Sequence, residues 1–373
     1  MKPNLGCADL VNGVLMSRTL QSPGGLNRGC PEKAFLFGGV QLLVFLASKL
    51  LCCLVAMLAM GLSMTAMASG ETLEVRNTSP LAQLYGLPPM RGARAEGVRI
   101  RFDVDVANSF TGDLNDSEFV FLDGETSTFS YTLKRGWSDR WEVGLELPWV
   151  VHSGGRFDRL IDDFHDLFGL PDGGRPLAER GAVDFVIRLD GRSEVALNTK
   201  TSDLGDVRGW LAYELYDSPQ RSLVSRVHAK LPTGRARNLS GSGGTDLAVG
   251  LDYVDHALFA RAGVQLTVGG GISYLGTGDL LPDQQNSFVP YAHLGLARNI
   301  GWHNRVRFLG QLDAHGALFD ARLSHLGHSV LQGTLGFQFD LTAKARLGLV
   351  LIEDLSGAGA ADVIFKLSLV GQL

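Results

Sequence analysis

Past residue 68 the chain has no cysteine. Cys7, Cys30, Cys52 and Cys53 all lie before it, so 69–373 can carry neither a disulfide framework nor a cysteine-ligated metal. Charge is also scarce, at 20% of residues beside 45% apolar. That balance suits neither a disordered chain nor a conventional helical membrane protein. Basic residues are outnumbered, 34 to 39, and a form lacking 1–68 would lose five of the former (Lys2, Arg18, Arg28, Lys33, Lys49) and two of the latter (Asp9, Glu32), leaving a net charge of −8. No electrostatic footprint for nucleic acid remains. What the chain has in excess is glycine, 47 of 373.

The front segment reads as an export signal. Lys49 precedes an apolar run from Leu50 to Met64, and Thr65-Ala66-Met67-Ala68 supplies small residues for cleavage after Ala68. Residues 1–48 are long for a signal's leading part, and the coding start is expected downstream of Met1, near Met16. Residues 69–97 show no strand alternation and hold Pro80, Gly86, Pro88 and Pro89. They are expected to form an irregular extension, either periplasmic or tucked into the next domain as a plug.

From Val98 onward the side chains alternate. The hairpin from Thr126 to Trp149 states the rule: Phe129, Tyr131 and Leu133 share one face, and Thr126, Thr128, Ser130, Thr132 and Lys134 the other. After the turn at Gly136-Trp137-Ser138-Asp139, Trp141, Val143, Leu145, Leu147 and Trp149 point one way and Arg140, Glu142, Gly144 and Glu146 the opposite way. A helix would scatter these charges around its circumference, whereas a strand segregates them. The pattern recurs to Leu373 and predicts about twelve strands. Short turns are expected near 137, 218, 255, 300 and 342, and long connections near 113, 150–204, 232–244, 271–286, 316–328 and 354–361.

Lipid offers no hydrogen bonds, so strands cross it only as a closed ring. The predicted fold is therefore all-β: a transmembrane antiparallel up-and-down β-barrel over 98–373 in a Gram-negative outer membrane, with tight periplasmic turns and longer outside loops. Trp141 and Trp302 would stand in an interfacial aromatic girdle. A water-soluble sandwich would demand the reverse, with the apolar face inside and Arg99, Asp103, Glu146 and Arg305 in solvent. One outside loop is expected to hold a short amphipathic helix, since Phe157, Leu160, Ile161, Phe164, Leu167 and Phe168 recur at helical spacing. Between them Asp162, Asp163, His165 and Asp166 match no calcium loop and read as a solvated face, so no metal is assigned.

Three stretches resemble one family. Asn77-x-Ser79-Pro80-Leu81-x-Gln83-x-Tyr85-Gly86-Leu87-Pro88, Phe164-His165-x-x-Phe168-Gly169-Leu170-Pro171 and Asp206-x-Arg208 are similar to the uncharacterised proteobacterial outer-membrane family labelled domain of unknown function 3187, over roughly 75–373. Lys230-Leu231-Pro232-Thr233-Gly234 is shared more loosely by other outer-membrane barrels. The resemblance implies a membrane barrel and no established activity. The chain departs from the usual pattern in ending on Leu373 rather than an aromatic.

The inward face predicts the candidate site. Arg99, Arg101, Asp103, Asp105, Glu142, Glu146, Arg226, His293, Arg305, Arg307, Asp313 and His315 would line the lumen, either as a self-neutralising network that stiffens the wall or as charged rings of a narrow pore. The expected function is a structural barrel or a passive pore for small polar solutes. The alternatives are an outer-membrane lipid hydrolase and an assembly scaffold without transport. Hydrolysis needs a Ser and a His whose side chains meet, yet Ser324-His325 and His328-Ser329 would face opposite sides of a strand. No enzyme activity and no cofactor is expected. The partners expected are outer-membrane lipid and, during biogenesis, the barrel-assembly machinery.

Overall fold

The computed structural model describes residues 72–155, 181, 183–190, 192–300, 305–357 and 359–373. Its strands in chain order are β1 (Val98–Leu114), β2 (Glu118–Gly136), β3 (Trp141–Ser153), β4 (Asp184–Leu189), β5 (Arg192–Leu197), β6 (Thr201–Leu204), β7 (Arg208–Ser218) and β8 (Arg221–Lys230). They continue with β9 (Asp246–Phe259), β10 (Val264–Leu275), β11 (Phe288–Ile300), β12 (Val306–His315), β13 (Val330–Asp340), β14 (Ala345–Asp354) and β15 (Val363–Gln372).

Twelve of these form the wall. β1, β2, β3 and β7 to β15 pair antiparallel in succession, and β15 returns to β1 with Arg99 opposite Gln372 and Asn108 opposite Val363. The ring has no free edge, as crossing a bilayer requires. β4, β5 and β6 raise the wall at one end: the upper part of β2 bonds to β4 and the upper part of β3 to β6. Gly124 marks the place where β2 changes partner. Its φ is +153°, and the Phe185 ring lies 3.1 Å from where a β-carbon would stand, so a side chain would collide with the neighbouring wall.

Two expected connections are placed differently. Near 113 the link is only three residues, 115–117, because β1 and β2 themselves run 17 and 19 residues; their continued pairing absorbs what would be loop. The turn expected near Asp255-His256 falls instead at Ala260–Ala262, after β9 has continued to Phe259. Asp255 stays in the wall, opposite Arg221 of β8 and Leu266 of β10 and on the face of Tyr253, where it takes Arg221, Tyr253 and the N–H groups of Ala257 and Leu258. Trp302 and the expected loop helix lie outside the described residues.

The barrel is inside out relative to a soluble protein. Leu145, Leu211, Val227, Leu251, Leu294, Phe308, Leu335 and Leu349 stand exposed on the outside, while Arg101, Asp103, Glu142, Arg226 and Lys366 are buried inside. Leaving one such Leu in water forgoes about 1.5–3 kcal/mol, and an apolar belt of this extent is stable only against hydrocarbon. At the short-turn end Trp137 stacks on Trp141, whose ring lies 4.7 Å from that of Tyr213, an arrangement suited to a membrane interface.

Candidate functional site

Residues 72–97 lie inside the ring. The segment rises along the inner wall, turns over a single 3-10 turn at Ala82–Leu84 near the loop end, and descends to Gly97, whose carbonyl accepts the Gly136 N–H at 2.9 Å. Its prolines suit the path, because Pro80, Pro88 and Pro89 lack an N–H that the wall could not satisfy. Asn77 and Ser79 shape the bend: Asn77 Oδ1 accepts the Ser79 N–H at 3.1 Å, and Ser79 Oγ accepts the Ala82 N–H at 3.3 Å.

At the waist the segment is held by charge. Glu74 pairs with Arg91 of its own descending limb and with Arg101 and Lys134 of the wall. Arg76 forks onto both oxygens of Glu146, which also receives Arg208 at 3.4 Å. Lower down, Arg94 reaches Glu214 at 3.0 Å, and the Ala95 N–H donates to Glu142 at 2.5 Å. Between these pairs Leu73 and Val75 pack on a small apolar patch of Ala107, Ala297, Leu309, Val350, Ile352 and Ile364. Glycine makes the fit possible: the Met90 methyl lies 2.6 Å, and a Leu73 methyl 3.0 Å, from the β-carbon positions of Gly295 and Gly336.

At the loop end the closure is apolar. Leu81, Leu84 and Tyr85 join Val120, Leu122, Phe185, Ile187, Leu275 and Phe319 in one buried cluster. The Tyr85 ring meets Phe319 edge to face, with centroids 5.7 Å apart. Burial pushes the Tyr85 phenol well above its ordinary range, and the nearby Asp246 carboxylate adds to the shift. Beside this cluster Lys230, Asp206, Asp246 and Ser242 meet the main chain of the turn: Lys230 Nζ donates to the Leu84 carbonyl, and the Gly86 N–H donates to Asp246 at 2.7 Å.

The residues singled out in the sequence fall as follows. Arg99, Arg101, Asp103, Asp105, Glu142, Glu146, Arg226, His293, Arg307 and Asp313 are inward and buried, and His315 is half-buried with its ring beside Asn77. Arg305 is a correction: it is exposed, ahead of β12, and its carbonyl accepts the Asp340 N–H. Alternation sets a phase only within a strand, and Arg305 stands before the first residue of one. Phe157, Asp162, Phe164, His165 and Phe168 lie outside the described residues. Alternation does not reach Asp206 and Ser242, which sit between strands, although Asp206 belongs to one of the motifs quoted above. Trp210 was legible, since it shares the phase of Arg208 and Ala212.

Between segment and wall lies a cavity of about 60 Å³, bordered by Arg76, Gln83, Asp103, Glu146, His293 and Asp313 among others. It has room for a few waters. His293 Nδ1 is 2.8 Å from Asp313, a base held by an orienting carboxylate, but its Nε2 has no hydrogen-bond partner among the described residues. A hydrolytic triad would put a hydroxyl there. Among the described residues no group of three or more His, Cys, Asp or Glu side chains could hold a metal ion.

The family described as Protein of unknown function (DUF3187) matches residues 46–372. No curated protein matches the chain in sequence. Among solved structures, the COG4313 outer membrane channel from Pseudomonas putida F1 is similar at 15% identity with a TM-score of 0.49, over 75% of this chain and 96% of that one. The NanC porin is similar at 10% identity with a TM-score of 0.42, over 74% of this chain and all of the other, 100%.

Proposed function

Because the chain belongs to the DUF3187 family, whose function is unknown, and folds as a lipid-faced barrel filled by its own leading residues, we propose that it is an outer-membrane channel for small polar solutes, closed in this conformation by residues 72–97. The observation that carries the reading is the way the segment is held at the waist: Arg76 on Glu146, Arg94 on Glu214 and Glu74 on Arg101 and Lys134. Partners of this kind can be exchanged for water and ions at the waist, so what opposes release of the segment is chiefly its apolar packing, by Leu81, Leu84 and Tyr85 at the loop end and by Leu73 and Val75 below. The wall it uncovers is hydrophilic, with Thr128, Ser130, Thr132, Asp103 and Asp105 facing the axis. A barrel serving only as a scaffold would gain more stability from apolar packing, because buried ion pairs are commonly no better than well-packed hydrophobic residues.

In this reading the short turns face the periplasm and the longer loops the exterior, as in other outer-membrane barrels. The segment then enters and leaves from the periplasmic side. The test is planar-bilayer recording of the detergent-purified protein beside Glu146→Arg, which sets like charges against Arg76. Wild type is expected to open rarely, and Glu146→Arg, checked for folding by heat-modifiable gel migration, to open at least about tenfold more often, given ~1.4 kcal/mol per tenfold. A folded Glu146→Arg protein without conductance steps would leave a scaffold as the better reading.

A further inference from the structure

Arg91 lies with its guanidinium carbon 3.5 Å from the centre of the Trp210 ring. That indole is set flat against the wall by its surroundings. Gly144 is its register partner on β3, and a β-carbon there would stand 2.0 Å from the indole, so only glycine leaves the ring this position. The indole N–H donates to Glu142 at 2.7 Å, which fixes the ring's rotation. Arg91 also lies 3.6 Å from Glu146, the carboxylate that Arg76 forks onto. An aromatic face beside carboxylates is the recognition chemistry of organic cations. Here the ring and carboxylates belong to the wall, whereas both guanidiniums belong to the segment.

Arg208 and Arg226 stand nearby, 3.4 Å from Glu146 and 4.0 Å from Glu142. Arg226 is drawn away from Glu142 to Asp252, while Arg208, which in the closed barrel donates to the segment's Gln83 carbonyl at 2.6 Å, shares Glu146 with the solute once the segment has left, so Glu142 and the Trp210 face carry most of the site. We propose that Trp210, Glu142 and Glu146 form a lumenal binding site for small solutes of net positive charge that bear a guanidinium or ammonium group and no carboxylate, filled by Arg91 and Arg76 while the barrel is closed. Such a solute binds the wall only where the segment has left it, so it draws the population toward the open state. The inference deepens the channel reading by naming the solute class, and the site itself can be tested apart from conduction.

Calorimetry on the detergent-purified protein uses agmatine as the probe, with L-glutamate and glucose as controls. Arg91→Ala removes the internal competitor and is expected to bind agmatine about tenfold more tightly than wild type, while neither control binds. In that background Trp210→Leu should weaken agmatine about tenfold and Trp210→Phe much less, since phenylalanine keeps a ring face. Glutamate binding as well as agmatine, or equal affinities for the Leu and Phe variants, would overturn the proposal; each variant is first checked for heat-modifiable migration. Agmatine binding without bilayer conductance leaves the site standing and removes the channel. Conductance in a protein that ignores agmatine does the opposite.

Discussion

Lys230 donates to the carbonyl oxygen of Leu84 at 3.0 Å from a position only 1% exposed, which ties the last residue of β8 to the turn of the leading segment. The ammonium is neutralised by Asp206 at 2.8 Å and Asp246 at 3.2 Å, and Asp246 in turn accepts the Gly86 N–H. One cation therefore couples two carboxylates of the wall and loops to two main-chain groups of the segment. Lys230→Met leaves both carboxylates buried beside each other, a change that costs about 3–5 kcal/mol. The expected result is a clear drop in the urea midpoint of the gel-shift transition. Adding Asp206→Asn and Asp246→Asn should restore much of it, because the burden is uncompensated charge. A single variant as stable as wild type would mean that the ammonium is not buried.

The arginines of the segment report on its position. Arg76, Arg91 and Arg94 are shielded in the closed barrel and become trypsin sites only when the segment leaves. Glu146→Gln removes the charge that Arg76 grips with both nitrogens. Weakening the closed state by ~1.4 kcal/mol raises the open population about tenfold, and cleavage follows that population when opening is fast. Mass spectrometry of the digest should therefore show cleavage after Arg76, Arg91 and Arg94 rising at least about tenfold in Glu146→Gln, with the wall intact. Unchanged cleavage would place the grip elsewhere.

The lipid-facing side makes a contrasting prediction. Leu294 is exposed near the middle of β11, and its register partners are Val268 and Leu312, both apolar. Leu294→Arg should cost about 2–4 kcal/mol, the charge being set near the bilayer midplane. Arg305→Ala, at an exposed position before β12, should stay within about 0.5 kcal/mol of wild type. Urea titration in liposomes measures both, and a costly Arg305→Ala would restore that residue to the lumen.

The wall was legible because a bilayer imposes the simplest of codes. With hydrocarbon on one side and a polar interior on the other, every second side chain declares its face, and Phe308, Arg307 and Leu309 stand as exposed, buried and buried in β12. Leu309 also marks where the code fails. It is an inward apolar residue, and it has that character because Leu73 and Val75 pack near it. The same holds at the loop end, where Val120, Leu122, Phe185 and Ile187 turn inward against Leu81 and Tyr85. A segment without regular structure carries no period, so its docking leaves no pattern of its own. It shows only as small interruptions in the wall's pattern, such as glycines at 295 and 336 that admit Met90 and Leu73.

The two closures, ionic at the waist and apolar at the mouth, should respond to different insults, and Tyr85 separates them. Its ring is 1% exposed and sits edge-on to Phe319, while its hydroxyl has no partner among the described residues. Tyr85→Phe removes only that hydroxyl and is expected to be neutral or slightly stabilising, since a buried donor without a partner costs about 1–3 kcal/mol. Tyr85→Ala empties the ring's volume and should cost about 3–5 kcal/mol, as for other large-to-small aromatic replacements. That cost falls on the mouth alone, so amide exchange at 81–87 should accelerate in Tyr85→Ala while the amides of Leu73 and Val75 keep their protection. High salt should do the reverse at the waist only so far as the pairs there are wetted, because screening acts weakly on charges removed from water. If Tyr85→Ala releases the whole segment at once, the two closures act as one cooperative unit and the waist pairs cannot hold the barrel shut by themselves.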